Sequence, residues 1–526
     1  MNRKKDGECF MVKTTMMTIL IDNLENIEME RSQAYFEKNG FESECVHLYG
    51  NDADELCSCI DLNSIIFCFF VYSESSVYPA GILTFAELAN KIKCIKNDSI
   101  IVFCGKYTSL YYKDILDDNR FANVDYVILG DCEYSLKKLV NCVEKKENVN
   151  EFVKQQKNIA SRSSMENKEF LNIDINELPI PVRTYDDTKS HKNYYAFIGD
   201  SNGCNSHCAF CTRGQFYNKW TGRSAESIFE EVKKINIESS VKCFWFAGGS
   251  FNDPGGEKGV AKIKNFCNLI LQDDLKVSMR CYLRSNFVYN IDIELFKLMK
   301  KAGFHVALVG VESGNQFDLD LYNKGTTVEY NRVTLKKLKE AGIYVDHFGF
   351  IMVNPYSTPS RFRENFLFLE EHQPHDLDNY VHHVVADPGT LIRKKIEEDG
   401  LFIPTNDFLR QGHSYKFVHP YAAEVSAFLH KYFLIFDTET AGTSTFIYHF
   451  VPFLPDKGTY IEEISSIMGK RARVYSEYFK MLYVNMDIGA CERQYDEFIS
   501  VFKSFEMQLG VLKNKLIRDL IKYKII

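Results

Sequence analysis

The sequence predicts an α/β protein in three parts: a Rossmann-like N-terminal domain over residues 1–150, a partial (βα)6 barrel of TIM type over 194–400, and a mostly helical C-terminal domain over 401–526, with a linker at 151–193. Three observations predict this. Short β-rich runs alternate with helical periodicity twice along the chain, each time in its own phase. The alternation ends near Gly400, where helical periodicity takes over. The chain has 526 residues, and a single core stops growing well below that length, at domains of roughly 100 to 200 residues.

In the first part the β-rich runs are TILID, FESECVHL, SIIFCFFVY, SIIVFCG and YVILGD, separated by helix-like stretches such as EMERSQAYFEKNG and AGILTFAELANKIK. Strands crossed by helices imply an open parallel sheet, whose ligand lies at the carboxyl ends of the strands. The polar stretch from about Glu147 to Lys192 reads as a linker. In the second part strands are expected to begin near Tyr194, Val241, Val277, Phe304, Ile343 and Asp378, each followed by a helix. Such a barrel places its chemistry in the loops after its strands. The remainder, including QYDEFISVFKSFEMQLGVLKNKLIRDLI, is expected to form a helical cap.

Hydrophobic residues make up 45% and charged residues 25%, with a net charge of −8, so no polyanion is expected as a partner and nucleic acid is disfavoured. The longest apolar run, Ile65 to Tyr72, is far short of the roughly 20 residues that span a bilayer. No membrane span and no secretion signal are expected, and the protein reads as cytoplasmic. Of the 16 cysteines most stand alone in apolar runs, as Cys68, Cys104 and Cys243 do, and read as reduced core residues.

Cys204, Cys208 and Cys211 differ. They lie in GCNSHCAFC, spaced C-x3-C-x2-C, in the loop after the first barrel strand. Three thiolates can hold three irons of a [4Fe–4S] cluster and leave the fourth open to a ligand that is not protein. A chance cluster of buried cysteines is the bland alternative.

With these residues in place, the stretch from Tyr194 to Gly400 resembles the radical S-adenosylmethionine (SAM) superfamily. There the open iron is chelated by SAM, and an electron from the cluster cleaves SAM to a 5′-deoxyadenosyl radical. Phe210 is similar to the usual aromatic before the last cysteine, and GRSAESIFEEV (Gly222 to Val232) to the stretch that follows the loop. VGVESGN followed by NKG resembles a hallmark pair, which implies that Glu312 faces SAM. GFIMVNPYST, with Val353, resembles the fifth strand beside the adenine, and LRSNF, with Arg284, Ser285 and Asn286, the segment touching the SAM ribose or carboxylate. One departure stands out. Where many members have Gly-Gly-Glu, this chain has Gly248, Gly249 and Ser250, which removes the carboxylate.

A parallel sheet placed before such a barrel resembles the cobalamin-binding domain of the cobalamin-dependent radical SAM enzymes. The supporting stretches are VFCGKYTS, with Gly105 and Tyr107, and YVILGDCEYSLKKLV, with Gly130 and Glu133. The resemblance implies cobalamin at strand-end loops that include Asp22, Asn23, Leu24 and Ser73, facing the barrel mouth. Cobalamin enzymes outside this subfamily ligate cobalt through a histidine where Leu24 stands, so no histidine ligand is expected; His47 reads as a strand-edge residue. A flavodoxin-like domain that binds nothing is the alternative.

The implied function is methyl transfer to an unactivated carbon of a natural-product, lipid or peptide substrate, with an electron donor such as flavodoxin or ferredoxin. The alternative is a radical SAM oxidoreductase, cyclase or rearrangement enzyme without methyl transfer, and after it a non-catalytic Fe–S redox protein. Asp387, Tyr217 and Trp220 are the weak candidates for catalytic groups, each with an ordinary turn or packing role as its rival.

Overall fold

Runs such as IFCFF and IIVFC carry no polar alternation because both faces of their strands are covered. They lie in a six-stranded sheet of β1 (Thr14–Ile19), β2 (Ser43–Leu48), β3 (Ile66–Phe70), β4 (Ile100–Cys104), β5 (Tyr126–Ile128) and β6 (Ile159–Ala160). The order is β2-β1-β3-β4-β5-β6, parallel except for β6. This is a computed structural model, and it describes residues 11–19, 25–71, 81–183, 195–217, 219–239, 241–405, 407–433 and 439–526, with side chains in the last segment from 442 onward.

One face of the sheet packs Phe69, Phe85, Phe103, Phe121 and Phe408, and the other packs Phe36, Cys68, Cys104, Ile128 and Leu136. The chain leaves β1 for β2 on one side and returns to β3 on the other, which sets the topological switch point at the carboxyl ends of β1 and β3. Asn26 fixes the helix that follows β1: its side chain caps Met29 N at 3.1 Å and donates to Thr18 Oγ1 at 3.0 Å.

The expected linker is largely part of this unit. Within it Ile159 and Ala160 pair with β5, Leu171 bridges Gly130, and the Asp131 carboxylate accepts Ile173 N at 2.8 Å. Ile159, Ala160, Ile173 and Ile175 are buried, a small apolar set diluted by the polar residues between them.

The second sheet contains β7 (Tyr195–Ile198), β10 (Cys243–Phe246), β11 (Ser278–Arg284), β12 (Phe304–Gly310) and β13 (Tyr344–His347), all parallel in the order β13-β12-β11-β10-β7. A small antiparallel pair, β8 (Ser201–Asn202) with β9 (Thr221–Gly222), flanks the cysteine loop. The strand expected near Asp378 is replaced by a one-turn helix, Asp378–Val381, and a single parallel bridge between Val353 and His383. The Asp376 side chain accepts Asp378 N at 3.1 Å, a local bond that competes with strand pairing.

The outer face of this sheet packs Phe246 and Phe304 against Phe266 of the helix Gly256–Gln272. The C-terminal region is helical, as expected: Pro420–Phe433, Glu439–Phe450, Lys457–Tyr483 and Ile488–Lys522. The helix Glu439–Phe450 crosses the inner face, where Phe446 and Phe450 pack with Cys243 and Tyr195.

The chain folds as two compact units. One comprises Met1–Asn193, Gln215–Asn218 and Thr405–Gly412; the other comprises Tyr194–Gly214, Lys219–Pro404 and His413–Ile526, so the helical C-terminus belongs with the barrel. Among the described residues no helix is long and apolar enough to cross a membrane.

Candidate active site

After β7 the chain enters the cysteine loop through Gly203 at φ +78°. The loop is pinned by backbone bonds: Ala209 N donates to Tyr322 O at 2.7 Å, Ile392 N to Ala209 O at 2.9 Å, and Cys211 N to Cys208 O at 3.1 Å. The turn after β10 nests directly against it. A Cβ on Gly249 would lie 2.4 Å from Gly203 O and 2.9 Å from Cys204 Cβ, so only glycine fits there.

Cys204, Cys208 and Cys211 are half-buried free thiols. Burial raises the Cys204 pKa and pushes Cys208 up to about 11, where the Glu312, Cys211 and Cys204 charges add to the rise and Lys324 opposes it. Metal binding by these thiols therefore releases protons. Among the described residues no three Cys, His, Asp or Glu side chains gather to hold a single ion. A cubane makes a different demand, since each thiolate binds its own iron and the sulfurs stand apart.

Glu312 follows β12 with φ +64°, a left-handed backbone that costs a non-glycine residue energy. Its Oε1 accepts Lys324 Nζ at 2.6 Å in a nearly buried pair. Gly310 and Gly349 make room for it, because Cβ atoms there would come within 2.6 Å of Lys324 Nζ and 2.9 Å of Glu312 Oε2. Burial alone would lower the Lys324 pKa, but Glu312, Cys208 and Cys211 outweigh it and raise it. The ammonium also lies 6.0 Å from the Phe210 ring, which meets Tyr322 edge-on.

Ser250 is buried and donates to Asn252 Oδ1 at 2.6 Å, so it does not substitute for a carboxylate beside the loop. Asp253 supplies one instead. Its Oδ2 accepts Asn205 N at 3.2 Å and its Oδ1 lies 2.5 Å from the Arg284 guanidinium, which donates to Ser206 Oγ at 3.1 Å. Gly248 packs on Asp200, whose Oδ1 accepts Gly248 N at 2.9 Å. Ser285 and Asn286 reach Thr326 Oγ1 and Gly325 O, each at 3.1 Å, and brace the loop that carries Lys324. Val353 is buried, and its N–H donates to His382 O at 3.1 Å.

The weak candidates fall elsewhere. The Asp387 carbonyl accepts the Thr390 hydroxyl at 2.7 Å, so this residue shapes the turn into the helix Leu391–Glu398. Trp220 covers Gly222 under Lys262, whose Nζ lies 5.8 Å from the ring. Tyr217 belongs to the first unit and donates to Asp131 at 3.4 Å. Four groups at the strand ends were not singled out from sequence. His347 Nε2 lies 3.4 Å from Asp376 and 3.2 Å from Asp378, and His382 Nδ1 lies 3.3 Å from Asp378. Burial opposes a charged His347, yet Asp378 and Asp376 outweigh it and lift its pKa to about 9.

In the first unit a small cleft lies at the ends of β4 and β5, lined in part by Arg31, Lys106, Asn172, Glu133, Phe216 and Tyr217. Gly105 (φ +112°) and Gly130 (φ +83°) border it, packed on Val71 O and Leu171 O. Glu133 is buried and accepts Arg31 Nε at 2.8 Å; Tyr107 stacks on Tyr111 in the core at 4.7 Å and turns away from the strand ends. His47 lies 3.5 Å from Glu30 on β2. Asp22, Asn23, Leu24 and Ser73 lie outside the described residues.

Residues 198–369, from the end of β7 through most of the helix Pro359–His372, match the radical SAM superfamily. This stretch carries a radical SAM domain, a class that implies a [4Fe–4S] cluster and SAM. The chain is 25% identical over 283 residues to an uncharacterized methyltransferase of Pyrococcus horikoshii, covering 52% of this chain and 57% of that protein. It is 23% identical over 323 residues to the anaerobic magnesium-protoporphyrin IX monomethyl ester cyclase of Cereibacter sphaeroides, covering 59% and 50%. The chain thus spans about half the length of these curated relatives. The fold is similar to that of OxsB, a cobalamin-dependent S-adenosylmethionine radical enzyme solved with aqua-cobalamin and SAM bound. The TM-score is 0.70 at 16% identity, over 98% of this chain and 81% of that one.

Proposed function

We propose that the chain is a cobalamin-dependent radical SAM methyltransferase acting on an unactivated carbon of a small-molecule, lipid or peptide substrate. The observation that carries the radical half is the cysteine loop, pinned by the loops after β10 and β12 and bordered by the Glu312–Lys324 and Asp253–Arg284 pairs. The likeness to OxsB over nearly the whole chain supports the cobalamin half.

Cys204, Cys208 and Cys211 would hold three irons. The turn at Gly248, Gly249 and Ser250, with Phe210, Arg284, Ser285, Asn286, Glu312 and Val353, would frame the SAM site. Arg284 and Glu312 offer a donor and an acceptor to its carboxylate and amino groups. When bound, the cluster supplies the electron that cleaves SAM, and cobalamin carries the methyl group. In the first unit Asn172 Oδ1 and Glu133 Oε2 are buried without hydrogen-bond partners at the cleft, which suits a ligand rich in amide groups such as a corrin. Gly105, Gly130 and the loops after β1 and β3 would complete that site without a histidine ligand. An electron donor such as flavodoxin or ferredoxin would reduce the cluster. A reducing, cytoplasmic setting suits described cysteines that are all free thiols.

The His382–Asp378 and His347–Asp376 contacts favour a second reading, oxidative ring closure without methyl transfer. Closing a ring from a substrate radical by oxidation would pass one electron to bound cobalamin or the cluster, release a proton and need a base, whereas adding a methyl group to a radical moves no proton. Anaerobic reconstitution followed by product analysis separates these. S-adenosylhomocysteine formed in equal amount with 5′-deoxyadenosine supports methylation. 5′-Deoxyadenosine alone, with substrate turned over, supports ring closure, and no SAM cleavage at all removes both. The absorption spectrum before and after adding cobalamin tests the cofactor.

A further inference from the structure

The inner wall of the barrel holds an arrangement outside the residues proposed above for the cofactors. Parallel strands in register point their paired residues to the same side. Phe197, Trp245 and Arg280 pair in sequence across β7, β10 and β11 and form one row. Tyr282, Leu308 and His347 pair across β11, β12 and β13, past a register shift between Ala307 and Leu308, and lie nearer the carboxyl edge.

The two rows share a chemistry. The Trp245 ring lies 5.4 Å from the Phe197 ring, and the Arg280 guanidinium sits 4.7 Å above Trp245 and 5.3 Å from Tyr282. Trp245, Tyr282, Leu308 and His347 are each half-buried. Strands β10, β11 and β12 have strands on both sides and helices behind, so these side chains face the inside of the barrel. The floor is closed by the helix Glu439–Phe450: Trp245 Nε1 donates to His449 Nε2 at 3.2 Å, and Thr445 donates to Asp346 at 3.1 Å. The open end is the carboxyl edge, where Arg284 and Glu312 stand.

In these two rows, below Arg284 and Glu312, the described charges already have partners. Arg280 donates from Nε and a terminal nitrogen to the two Asp346 oxygens at 2.6 and 3.3 Å. His347 faces Asp376 and Asp378. A charged group brought into the lumen would be desolvated without a free counter-charge. A flat ring would instead pack on the aromatic surface that these side chains leave exposed.

Resting on the proposed radical SAM reaction, we infer that the lumen takes an uncharged, flat, conjugated portion of the substrate, packed against the exposed parts of Trp245 and Tyr282. The chain has two tryptophans, so Trp220→Phe leaves Trp245 as the reporter. The test titrates the full-length W220F protein with 1-naphthamide, 1-naphthoate, 1-naphthylmethylamine and cyclohexanecarboxamide, following Trp245 emission and calorimetry.

The expected result is saturable binding of naphthamide with a change in Trp245 emission, and binding at least about tenfold weaker for the anion and the cation. The saturated amide, and naphthamide on Tyr282→Ala, should each be weaker by about fivefold. Tyr282→Phe, which keeps the ring, should retain the affinity. Equal or tighter binding of naphthoate, equal binding of the saturated amide, or no saturable binding of any probe would overturn the inference. SAM cleavage measured on the same preparations keeps the two readings apart. Cleavage without probe binding sinks this inference alone, and probe binding without cleavage sinks the proposed reaction alone.

Discussion

The two units both end parallel strands at one edge, and they treat that edge in opposite ways. In the first unit the described groups there largely satisfy one another: Arg31 with Glu133, Lys106 with Glu28 at 3.0 Å, and two glycine turns packed on backbone carbonyls. In the second, four loops converge on three half-buried thiols, and the charged pairs around them reach into the cysteine loop itself. The same strand-and-turn plan therefore yields a mostly self-contained edge in one case and an open coordination site in the other. What differs is where each polar side chain finds its partner.

The strongest break of this contrast is Cys208→Ala. About four irons per chain are expected after reconstitution of the parent protein, and the variant should lose nearly all of them together with SAM cleavage; an unchanged iron count and visible spectrum would refute the cluster assignment. Next comes Glu312→Ala, which strands the nearly buried Lys324 ammonium. Loss of one partner of such a pair costs about 3–5 kcal/mol, visible in urea melts, and SAM cleavage should fall in parallel. Glu133→Gln probes the corresponding pair in the first unit, with Arg31 as the stranded group. It should lower stability by about 2–3 kcal/mol, since a neutral hydrogen-bond acceptor remains. SAM cleavage without substrate should hold, and a matching loss of cleavage would erase the distinction between the edges.

A fourth test uses pH. Burial first, then Glu133, pushes Asp131 up to about 7, above the ordinary carboxylate range. The folded state thus binds the proton more tightly than the unfolded chain does. The Asp131 contribution should favour folding at acid pH and fade as pH rises from about 4 to about 7, a tenfold difference in proton affinity being worth about 1.4 kcal/mol. Urea melts at pH 5 and 7.5 should show this slope in the parent protein and a shallower one in Asp131→Asn. The smallest effect belongs to Ser250→Ala, which removes a buried hydrogen bond worth about 1 kcal/mol. SAM affinity measured by equilibrium dialysis should stay unchanged, because the hydroxyl is turned to Asn252.

The parts that sequence exposes are those written locally. The cysteine spacing, the alternation of strands and helices, and Glu312 within its motif each occupy one short stretch. Groups whose meaning depends on a distant partner stay hidden. Asp253 matters through Asn205 and Arg284, Lys324 through Glu312 and Cys208, and His347 and His382 through Asp376 and Asp378. The short helix where a sixth strand is expected, and the ordered stretch read as linker, turn on single contacts that periodicity averages away. Tyr217 shows the converse, since its position near the cysteines in sequence says nothing of the unit that receives it.

Phe408 carries one more consequence. It packs against Phe121 at 5.8 Å and Tyr111 at 5.7 Å, inside the core of a unit whose strands are all complete by residue 160. During vectorial synthesis the ribosome must therefore make the whole barrel before the earlier unit receives its last core side chain. Until then that unit emerges with an unfilled aromatic slot, and its maturation is timed by the domain translated after it. Cutting the chain at residue 193 to express the halves separately would make that interim state permanent.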